Sequence, residues 1–217
     1  MFRDRGEAGR VLAGRLAAFS GRRDVIVLGL ARGGVPVARE IAATLHAPVD
    51  VFVVRKLGVP RWRELAMGAV ASGGCVVLND DLIRSLGITT EQVNTAIAAE
   101  TDELHRRESA YRGKSRSLDL AAKVVILVDD GIATGASMLA AVRAVRMSDP
   151  ARVVVVVPVA PRTVDRRLLG EADDIVVAVT PLRFEAVGQV FADFHQVSDD
   201  EVREALADQD TGPSPCG

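Results

Sequence analysis

The hydrophobic residues of this chain follow two spacings, which alternate along the sequence. Short apolar runs rich in β-branched residues predict buried strands, because a strand covered on both faces is apolar at every position. These runs are Val25–Leu30, Val49–Val54, Val124–Val128, Val153–Val159 and Ile175–Val179. Shorter strands are predicted at Met67–Val70 and Cys75–Leu78. Before them, an exposed loop is predicted over Leu57–Glu64, which holds glycine, proline and three charges.

Between these runs, apolar residues return every three or four positions, which predicts helices. The helices cover Glu7–Phe19, Pro36–Leu45, Thr89–Tyr111, Gly135–Met147 and Pro161–Leu169, the last ending at Gly170. Two pairs, Thr89 with Gln92 and Ser198 with Glu201, have the spacing of a capping box, in which side chain and backbone bind reciprocally at a helix start. The second pair predicts a short helix near the end of the sequence.

Strands that alternate with helices predict an α/β fold: a doubly wound parallel sheet flanked by helices, formed by residues 1–217 as one domain. In such sheets, ligands bind beyond the carboxyl ends of the strands. Three of those ends carry unusual residues, namely Ala31–Gly34, Arg55-Lys56 and Asp129–Ser137. They are far apart in sequence, and we expect this fold to bring them together as one site.

The amino-acid composition limits the classes of protein to which this chain can belong. Hydrophobic residues make up 48% and charged residues 26%, as in ordinary globular proteins, and a net charge of −2 gives no bulk attraction to nucleic acid or an anionic membrane. The sequence shows no signal segment and no apolar run long enough for a bilayer, so a cytoplasmic protein is expected. Cys75 and Cys216 are interpreted as unpaired thiols in a reducing compartment.

Several familiar site motifs are missing from the sequence. It contains no G-x-x-x-x-G-K-[ST] phosphate loop, no dinucleotide fingerprint and no G-x-S-x-G nucleophile elbow. His46, His105 and His195 do not have the spacing of metal ligands. Any anion-binding function must therefore come from a local site.

The loop at Asp129–Ser137 carries the strongest chemical pattern. Asp129 and Asp130 directly follow a predicted buried strand, and adjacent carboxylates repel each other unless a diol, a cation or helix N–H groups receive them. The small and hydroxyl-bearing residues that follow predict a phosphate nest at a helix start; they are Gly131, Ala133, Thr134, Gly135, Ala136 and Ser137. Together these features describe a site for ribose 5-phosphate. The alternative, in which the aspartates only cap the helix, needs one aspartate and not two.

The other two loops are weaker signals. The residues Ala31, Arg32, Gly33 and Gly34 can form only a tight turn, or they can clamp an anion through backbone N–H groups and a guanidinium. Similarly, Arg55 and Lys56 can be a solvated strand end. Beside the other two loops, we interpret them as cationic contacts for pyrophosphate.

The sequence DDGIATGAS at Asp129–Ser137 resembles the motif with which type I phosphoribosyltransferases bind 5-phosphoribosyl 1-pyrophosphate (PRPP): two acids, three variable residues and T-G-x-[ST] after an apolar strand. Gly131 stands where the motif usually has an aliphatic residue, and Ser137 where threonine is common. From FRDRGEAG through LGLARGGVPVA, VRKLGVP and ELAMGAV to FADFHQVSDDEV, the whole chain resembles a bacterial branch of that family.

The resemblance implies a fold and a reaction. The fold is that of type I phosphoribosyltransferases, with a small hood built from the N-terminal segment and about residues 181–208. The reaction transfers the 5-phosphoribosyl group of PRPP to a nitrogenous, nucleobase-like acceptor and releases pyrophosphate. Expected partners are PRPP and this small acceptor, without nucleic acid or membrane, and a homodimer is one possible assembly.

The resemblance also implies roles for residues. Pyrophosphate is expected at Ala31–Gly34, with a non-proline cis peptide, and at Arg55-Lys56, beside a mobile loop near Leu57–Met67. Mg²⁺ is expected to be chelated by PRPP and contacted by Asp129 and Asp130 mostly through water. In catalysis, Arg32, Lys56 and Mg²⁺ would stabilise the leaving group, and the two aspartates would face the cationic ribose ring.

For the acceptor, the resemblance points to Phe184 as a stacking contact. An equally good interpretation is that Phe184 packs the hood together with Phe191 and Phe194.

Two other functions stay open at this point. A regulator could sense PRPP or a nucleotide with the same cradle and without turnover. A basic cluster would suit nucleic-acid binding by such a regulator, but acidic residues interleave with it, which favours a solvated helix face. The basic residues are Arg106, Arg107, Arg112, Lys114 and Arg116, and the acidic ones are Asp102, Glu103 and Glu108. Alternatively, the cradle could serve hydrolysis or transfer of another phosphorylated sugar.

Overall fold

The computed structural model describes residues 1–60, 62–112 and 119–207, with the backbone alone at positions 63, 64 and 112. Five parallel strands form the central sheet: β1 (Val25–Leu30), β2 (Val49–Phe52), β6 (Val124–Val128), β7 (Arg152–Val159) and β8 (Asp174–Val179). Their order is β2-β1-β6-β7-β8, and every neighbouring pair is parallel. The parallel α/β architecture predicted from the sequence is therefore confirmed.

Helices cover both faces of this sheet. In chain order they are α1 (Arg5–Gly14), α2 (Gly34–Leu45), α3 (Asp80–Ser85), α4 (Thr90–Arg112), α5 (Ala136–Arg146), α6 (Arg166–Glu171) and α7 (Asp199–Ala207). α1 and α2 pack on one face, and α5 packs on the other. The side chains of β6 and of Val153–Val157 are buried on both faces, which explains why these strands are apolar at every position.

A second sheet of three antiparallel strands stands beside the first. It consists of β3 (Val54–Val59), β4 (Trp62–Ala71) and β5 (Cys75–Leu78), in that order. Together with α4 and α7 it encloses a separate cluster that contains Leu57, Met67 and Leu104. The predicted strand Val49–Val54 is thus too long, because β2 ends at Phe52 and β3 begins after a single intervening residue.

The prediction of an exposed loop at Leu57–Glu64 is wrong. Leu57–Val59 belongs to β3, β4 begins at Trp62, and the side chains of Leu57 and Val59 are buried. The pairing between the two strands shifts register on both sides of Gly58, as it does at a β-bulge. Glycine and proline in this stretch therefore mark a bulge and a hairpin turn.

Two predicted helices have different bounds, because aspartates cap them. Asp4 Oδ1 accepts a hydrogen bond from the Glu7 N–H at 2.7 Å, so α1 begins at Arg5; it ends at Gly14, and Ala17–Phe19 forms a separate 3₁₀ turn. Asp165 Oδ1 accepts from the Arg167 N–H at 2.9 Å, so α6 is Arg166–Glu171 instead of Pro161–Leu169. Gly170 consequently lies inside α6 and does not end it.

Both predicted capping boxes are present. The Thr89 N–H donates to Gln92 Oε1 at 3.0 Å and the Gln92 N–H to Thr89 Oγ1 at 3.2 Å. The Ser198 N–H donates to Glu201 Oε2 at 2.8 Å and the Glu201 N–H to Ser198 Oγ at 3.2 Å. α4 and α7 therefore begin where the sequence places them. α3, which follows a cap by Asn79, was not predicted.

The beginning of the chain pairs with a segment near its end. The Phe2 N–H donates to the Val190 carbonyl at 2.7 Å, and the Ala192 N–H donates to the Phe2 carbonyl at 2.8 Å. The rings of Phe2 and Phe191 pack against Val159 at the end of β7. This pairing brings the first residues of α1 to the carboxyl edge of the parallel sheet.

Among the described residues, none of the helices has the length and apolar character of a membrane span.

Candidate functional site

Two of the three predicted strand-end loops are in direct contact. β1 and β6 are neighbours, with Gly29 opposite Val128, so the loops that follow them emerge side by side. A Cβ on Gly33 would lie 2.0 Å from Asp130 Oδ2, and a Cβ on Gly34 would lie 2.3 Å from the Val128 carbonyl oxygen. Both positions therefore require glycine. The Ala31–Arg32 peptide in the same loop is cis, as the family resemblance implies.

Asp129 and Asp130 stand at the mouth of β6, and each has one oxygen engaged within the protein. Asp129 Oδ1 accepts from the Asp130 N–H at 2.9 Å, and Asp130 Oδ2 accepts from Arg5. Burial raises the pKa of Asp129 well above its ordinary value, and the Asp130 carboxylate adds to this. Burial also raises the pKa of Asp130, although the hydrogen bond from Arg5 acts in the opposite direction.

Arg5 contacts the candidate site, and no sequence pattern indicated it. Its Nη2 and Nε donate to Asp130 Oδ2 at 2.8 and 3.0 Å, and its Nη1 donates to the His195 carbonyl at 2.9 Å. The Arg5 side chain is only 8% exposed, and its guanidinium carbon lies 4.0 Å from the centre of the Phe194 ring. The motif FRDRGEAG contains this arginine, but no local pattern connects it with an aspartate 125 positions later.

The phosphate nest predicted after Asp130 has free donors. Within the part of the chain that the structure describes, the backbone N–H groups of Ala133, Thr134 and Gly135 donate to no protein acceptor. Ala133 and Thr134 are exposed, and Gly135 has φ = +80° at the start of α5, a conformation that favours glycine. Ala136 and Ser137 form the first turn of α5. These N–H groups can receive an anion, which the N-terminus of a helix also favours.

Gly131, the departure from the family motif, has a steric explanation. A Cβ at this position would lie 2.5 Å from Val187 Cγ1 and 2.8 Å from Val159 Cγ1. Val187 belongs to the 3₁₀ turn Val187–Val190 near the end of the chain. The valine side chain fills the space that a larger residue at position 131 would need.

Arg32 points toward the C-terminal helix. Its Nη1 lies 3.6 Å from Asp199 Oδ1, and the same oxygen accepts a hydrogen bond from Tyr111 Oη at 2.8 Å. Burial first, and then the hydrogen bond to Asp199, raises the pKa of Tyr111 to about 12. The Arg32 side chain is 29% exposed and lines the same cleft as Asp130.

The predicted position of Arg55 and Lys56 at a strand end is wrong. Both lie inside β3, in the second sheet, because the chain re-enters a strand one residue after β2. Arg55 donates to Glu100 of α4 at 2.8 Å. Lys56 lines a cleft of about 660 Å³ between β3 and α4. In this structure, neither residue lies at the contact between Gly33 and Asp130.

A smaller cleft of about 360 Å³ opens beside Asp130. Its walls come from α1, from the loops after β1 and β6 and from the segment before α7; they are Arg5, Arg32, Gly33, Asp130, Phe194, His195, Gln196 and Val197. Phe184 is not in this wall. It is partly buried against the apolar cluster of Phe2, Val159 and Phe191, which agrees with the packing interpretation of Phe184.

The basic helix face is ion-paired where it is described. Arg106 and Arg107 both donate to Glu103, and these bonds lower the pKa of Glu103 to about 2. Lys114, Arg116 and the side chain of Arg112 lie outside the described residues. Cys75 is buried and unpaired, and Cys216 lies outside the described residues as well.

Comparison with known proteins agrees with this geometry. Residues 68–186, more than half of the chain, match the family described as "Phosphoribosyl transferase domain". A crystal structure of TT1426 from Thermus thermophilus is similar over 95% of this chain and 98% of its own, with 42% identity and a TM-score of 0.84.

Two curated proteins, from the CDC 1551 and H37Rv strains of Mycobacterium tuberculosis, are each described as "Putative phosphoribosyl transferase". They are 47% identical over 202 residues, which is 93% of this chain. The chain spans 45% of the length of these relatives. The parallel sheet, the DDGIATGAS loop after β6 and the family match lead to one conclusion: this chain belongs to the phosphoribosyl transferase domain family.

Proposed function

We propose that this chain is a phosphoribosyltransferase that binds PRPP with Mg²⁺ and transfers the 5-phosphoribosyl group to a nitrogenous, nucleobase-like acceptor. One observation carries the proposal: the glycine loop after β1 packs directly on the carboxylate pair after β6, beside three unpaired N–H groups before α5. This arrangement supports the proposal because it offers groups suited to each part of PRPP, and a helix cap alone would explain neither the second aspartate nor the contact with Gly33.

The ribose is assigned to Asp129 and Asp130. Each carboxylate has one oxygen engaged within the protein, whereas Asp129 Oδ2 and Asp130 Oδ1 accept no hydrogen bond from the described residues. Two uncommitted oxygens on adjacent residues suit the two hydroxyls of a ribose diol. The 5-phosphate is assigned to the N–H groups of Ala133, Thr134 and Gly135 with the hydroxyls of Thr134 and Ser137.

The chemistry follows from the charges. As the bond between C1 and the pyrophosphate oxygen breaks, the bonding electrons leave with pyrophosphate and the ribose ring becomes cationic. Asp129 and Asp130 stabilise that cation, and a nitrogen of the acceptor forms the new bond to C1 as its proton passes to the released pyrophosphate or to water. Arg32 and the N–H groups of Arg32–Gly34 bind the leaving pyrophosphate, for which Arg32 exchanges Asp199 for the ligand. The Ala31 N–H does not take part, because it donates to the Phe52 carbonyl at 3.0 Å. A part for Arg55 and Lys56 stays a prediction, since they lie elsewhere in this structure.

Mg²⁺ fits the donors present. The described residues contain no group of three or more potential metal ligands, so they do not form a closed metal cage. Asp129 and Asp130 are hard oxygen donors beside the proposed pyrophosphate site, and Mg²⁺ typically binds through one or two carboxylates, water and substrate phosphates. When bound, the ion would neutralise charge on the pyrophosphate. The chain itself would orient the complex through water held by the two carboxylates.

Calorimetry with PRPP and MgCl₂, followed by an assay of pyrophosphate release with a panel of nucleobases, tests the proposal. We expect binding by the wild type and release with at least one base, and Asp130→Asn should be strongly impaired in both. Absence of PRPP binding, or equal rates for the variant, would reject the assignment. Binding with no release for any base would instead favour the PRPP-sensing alternative. Release without an acceptor would favour hydrolysis.

A further inference from the structure

One oxygen of the Asp130 carboxylate is held by contacts with two other parts of the protein. Its Oδ2 accepts two hydrogen bonds from Arg5, and the Gly33 backbone packs against the same oxygen so closely that a methyl group there would lie 2.0 Å away. The carboxylate is therefore held in one orientation, and Oδ1 stays uncommitted in the wall of the cleft.

Arg5 is itself fixed in several ways. The Asp4 cap places it as the first residue of α1, the His195 carbonyl accepts from Nη1, and the Phe194 ring lies against the guanidinium. Three of the five N–H groups of the guanidinium already donate to the protein, and the side chain is 8% exposed, which leaves little room for a further ligand. Arg5 is thus poorly placed to bind a phosphate group directly. Its one ion pair within the described residues is with Asp130, a proposed ribose ligand.

The pair also addresses an electrostatic problem. Two neighbouring carboxylates at a buried strand end each make ionisation of the other costly. A guanidinium that donates two hydrogen bonds to one of them offsets this cost and fixes its orientation. Asp129 has no such partner among the described residues, since its hydrogen bond comes from the Asp130 backbone.

We propose that Arg5 is a positioning residue for phosphoribosyl transfer: it holds the Asp130 carboxylate in one orientation, with Oδ1 left for a ribose hydroxyl, and does not contact the sugar itself. This inference rests on the proposed function. The proposed role of Arg5 adds the start of α1 to the site, which the three strand-end loops alone did not include.

The test separates the two halves of PRPP. Calorimetry would use ribose 5-phosphate alone and, separately, pyrophosphate with MgCl₂, on the wild type, Arg5→Met, Arg5→Lys, Asp130→Asn and the Arg5→Met/Asp130→Asn double variant. We expect Arg5→Met to weaken ribose 5-phosphate by about tenfold, which is typical for loss of a charged hydrogen bond, and to leave pyrophosphate unchanged. Arg5→Lys should recover part of the loss, because it keeps the charge with fewer donors.

The double variant shows whether Arg5 acts through Asp130. In the Asp130→Asn background, Arg5→Met should cause no further loss of ribose 5-phosphate affinity. Equal weakening of both ligands, or a further loss in that background, would overturn the inference, because a merely structural or direct role predicts those results. Thermal unfolding checks that each variant is folded at the assay temperature. If Arg5→Met is unfolded there, Arg5→Lys carries the test, with a smaller loss selective for ribose 5-phosphate.

The two proposals can fail separately. A wild type that binds neither PRPP nor ribose 5-phosphate rejects the proposed function, and this inference with it. A wild type that binds both, with an Arg5→Met variant of the same affinity, rejects only the role of Arg5.

Discussion

Two arginines line the cleft beside Asp130, and their surroundings differ. Arg5 is 8% exposed and donates two hydrogen bonds to one carboxylate oxygen, at 2.8 and 3.0 Å. Arg32 is 29% exposed, and its nearest carboxylate oxygen is 3.6 Å away, beyond a good hydrogen bond. We interpret the difference as one of role: Arg5 stabilises the structure of the cleft, whereas Arg32 is available to bind a ligand. A buried, well-directed pair is costly to break, whereas a loose, partly exposed one can exchange its partner for a ligand.

Removal of the Arg5 side chain should give the largest effect that distinguishes the two arginines. Arg5→Met leaves Asp130 as an unpaired, partly buried carboxylate, so the free energy of unfolding should fall by about 2–4 kcal/mol. Urea unfolding at pH 7 measures this. The double variant with Asp130→Asn should regain part of the loss, because no charge is then stranded. A change below about 0.5 kcal/mol would place Arg5 in the same class as Arg32.

A second substitution affects the contact between the two loops. Gly33→Ala should lower the free energy of unfolding by about 1–3 kcal/mol, because its methyl group would overlap Asp130 Oδ2 and force the loops apart. Gly170→Ala is the matched control: no atom lies within 4 Å of its added Cβ, so no loss is expected. Similar unfolding curves for the two variants would show that the loops can separate freely.

Removal of Arg32 should have the opposite profile to removal of Arg5. Arg32→Met should change the free energy of unfolding by less than about 0.5 kcal/mol, because its ion pair is long and partly exposed. We expect pyrophosphate affinity to fall by about tenfold or more, as for loss of a charge-assisted contact. Asp199→Asn is the counterpart, since it frees Arg32 and should not weaken pyrophosphate binding. A large loss of stability in Arg32→Met would abolish the distinction between the two arginines.

The smallest expected effect concerns Asp129, the carboxylate without an arginine. Its pKa is raised in the folded protein, so the folded state binds more protons than the unfolded state between the ordinary value of about 3.9 and the raised one. Stability should therefore fall as pH rises through that window, and Asp129→Asn should remove this part of the dependence. Urea unfolding from pH 4 to pH 8 measures the difference.

Asp130 also has a raised pKa because of burial, so it contributes a dependence of the same sign, and this contribution is present in both the wild type and Asp129→Asn. The pKa values of Glu103 and Glu201 are lowered to about 2, so their contribution is lost only as pH falls below their ordinary values, and equally in both proteins. Identical pH profiles for the wild type and Asp129→Asn would contradict the raised pKa of Asp129.

The central sheet and part of the site were predictable because their signals are local. Val153–Val159 is apolar throughout, which identifies a strand buried on both faces, and parallel strands carry the loops after β1 and β6 to one edge. The position of Arg55 and Lys56 was not predictable in this way. β3 begins one residue after β2, and a short extended run has no mark to show that the chain has changed sheets.

Arg5 and Phe184 show a second limit. The partners of Arg5 are the Asp130 carboxylate and the His195 carbonyl, which are distant in sequence, and one of them is a backbone atom that any residue could provide. The environment of Phe184 likewise depends on where Phe2 and Phe191 meet. Contacts of this kind follow from the assembled fold and leave no spacing pattern along the chain.

The pairing of the two ends of this domain has a consequence for its biosynthesis. Arg5 is synthesised 190 positions before the carbonyl that receives its Nη1. The parallel sheet ends with β8 at Val179, so its strands are all synthesised before that carbonyl. We therefore expect a nascent chain to form its sheet first. The hydrogen bonds that hold Arg5 against Asp130 should be complete only after His195 has left the ribosomal exit tunnel. A chain interrupted before Phe191 would carry the DDGIATGAS loop without the segment that secures Arg5.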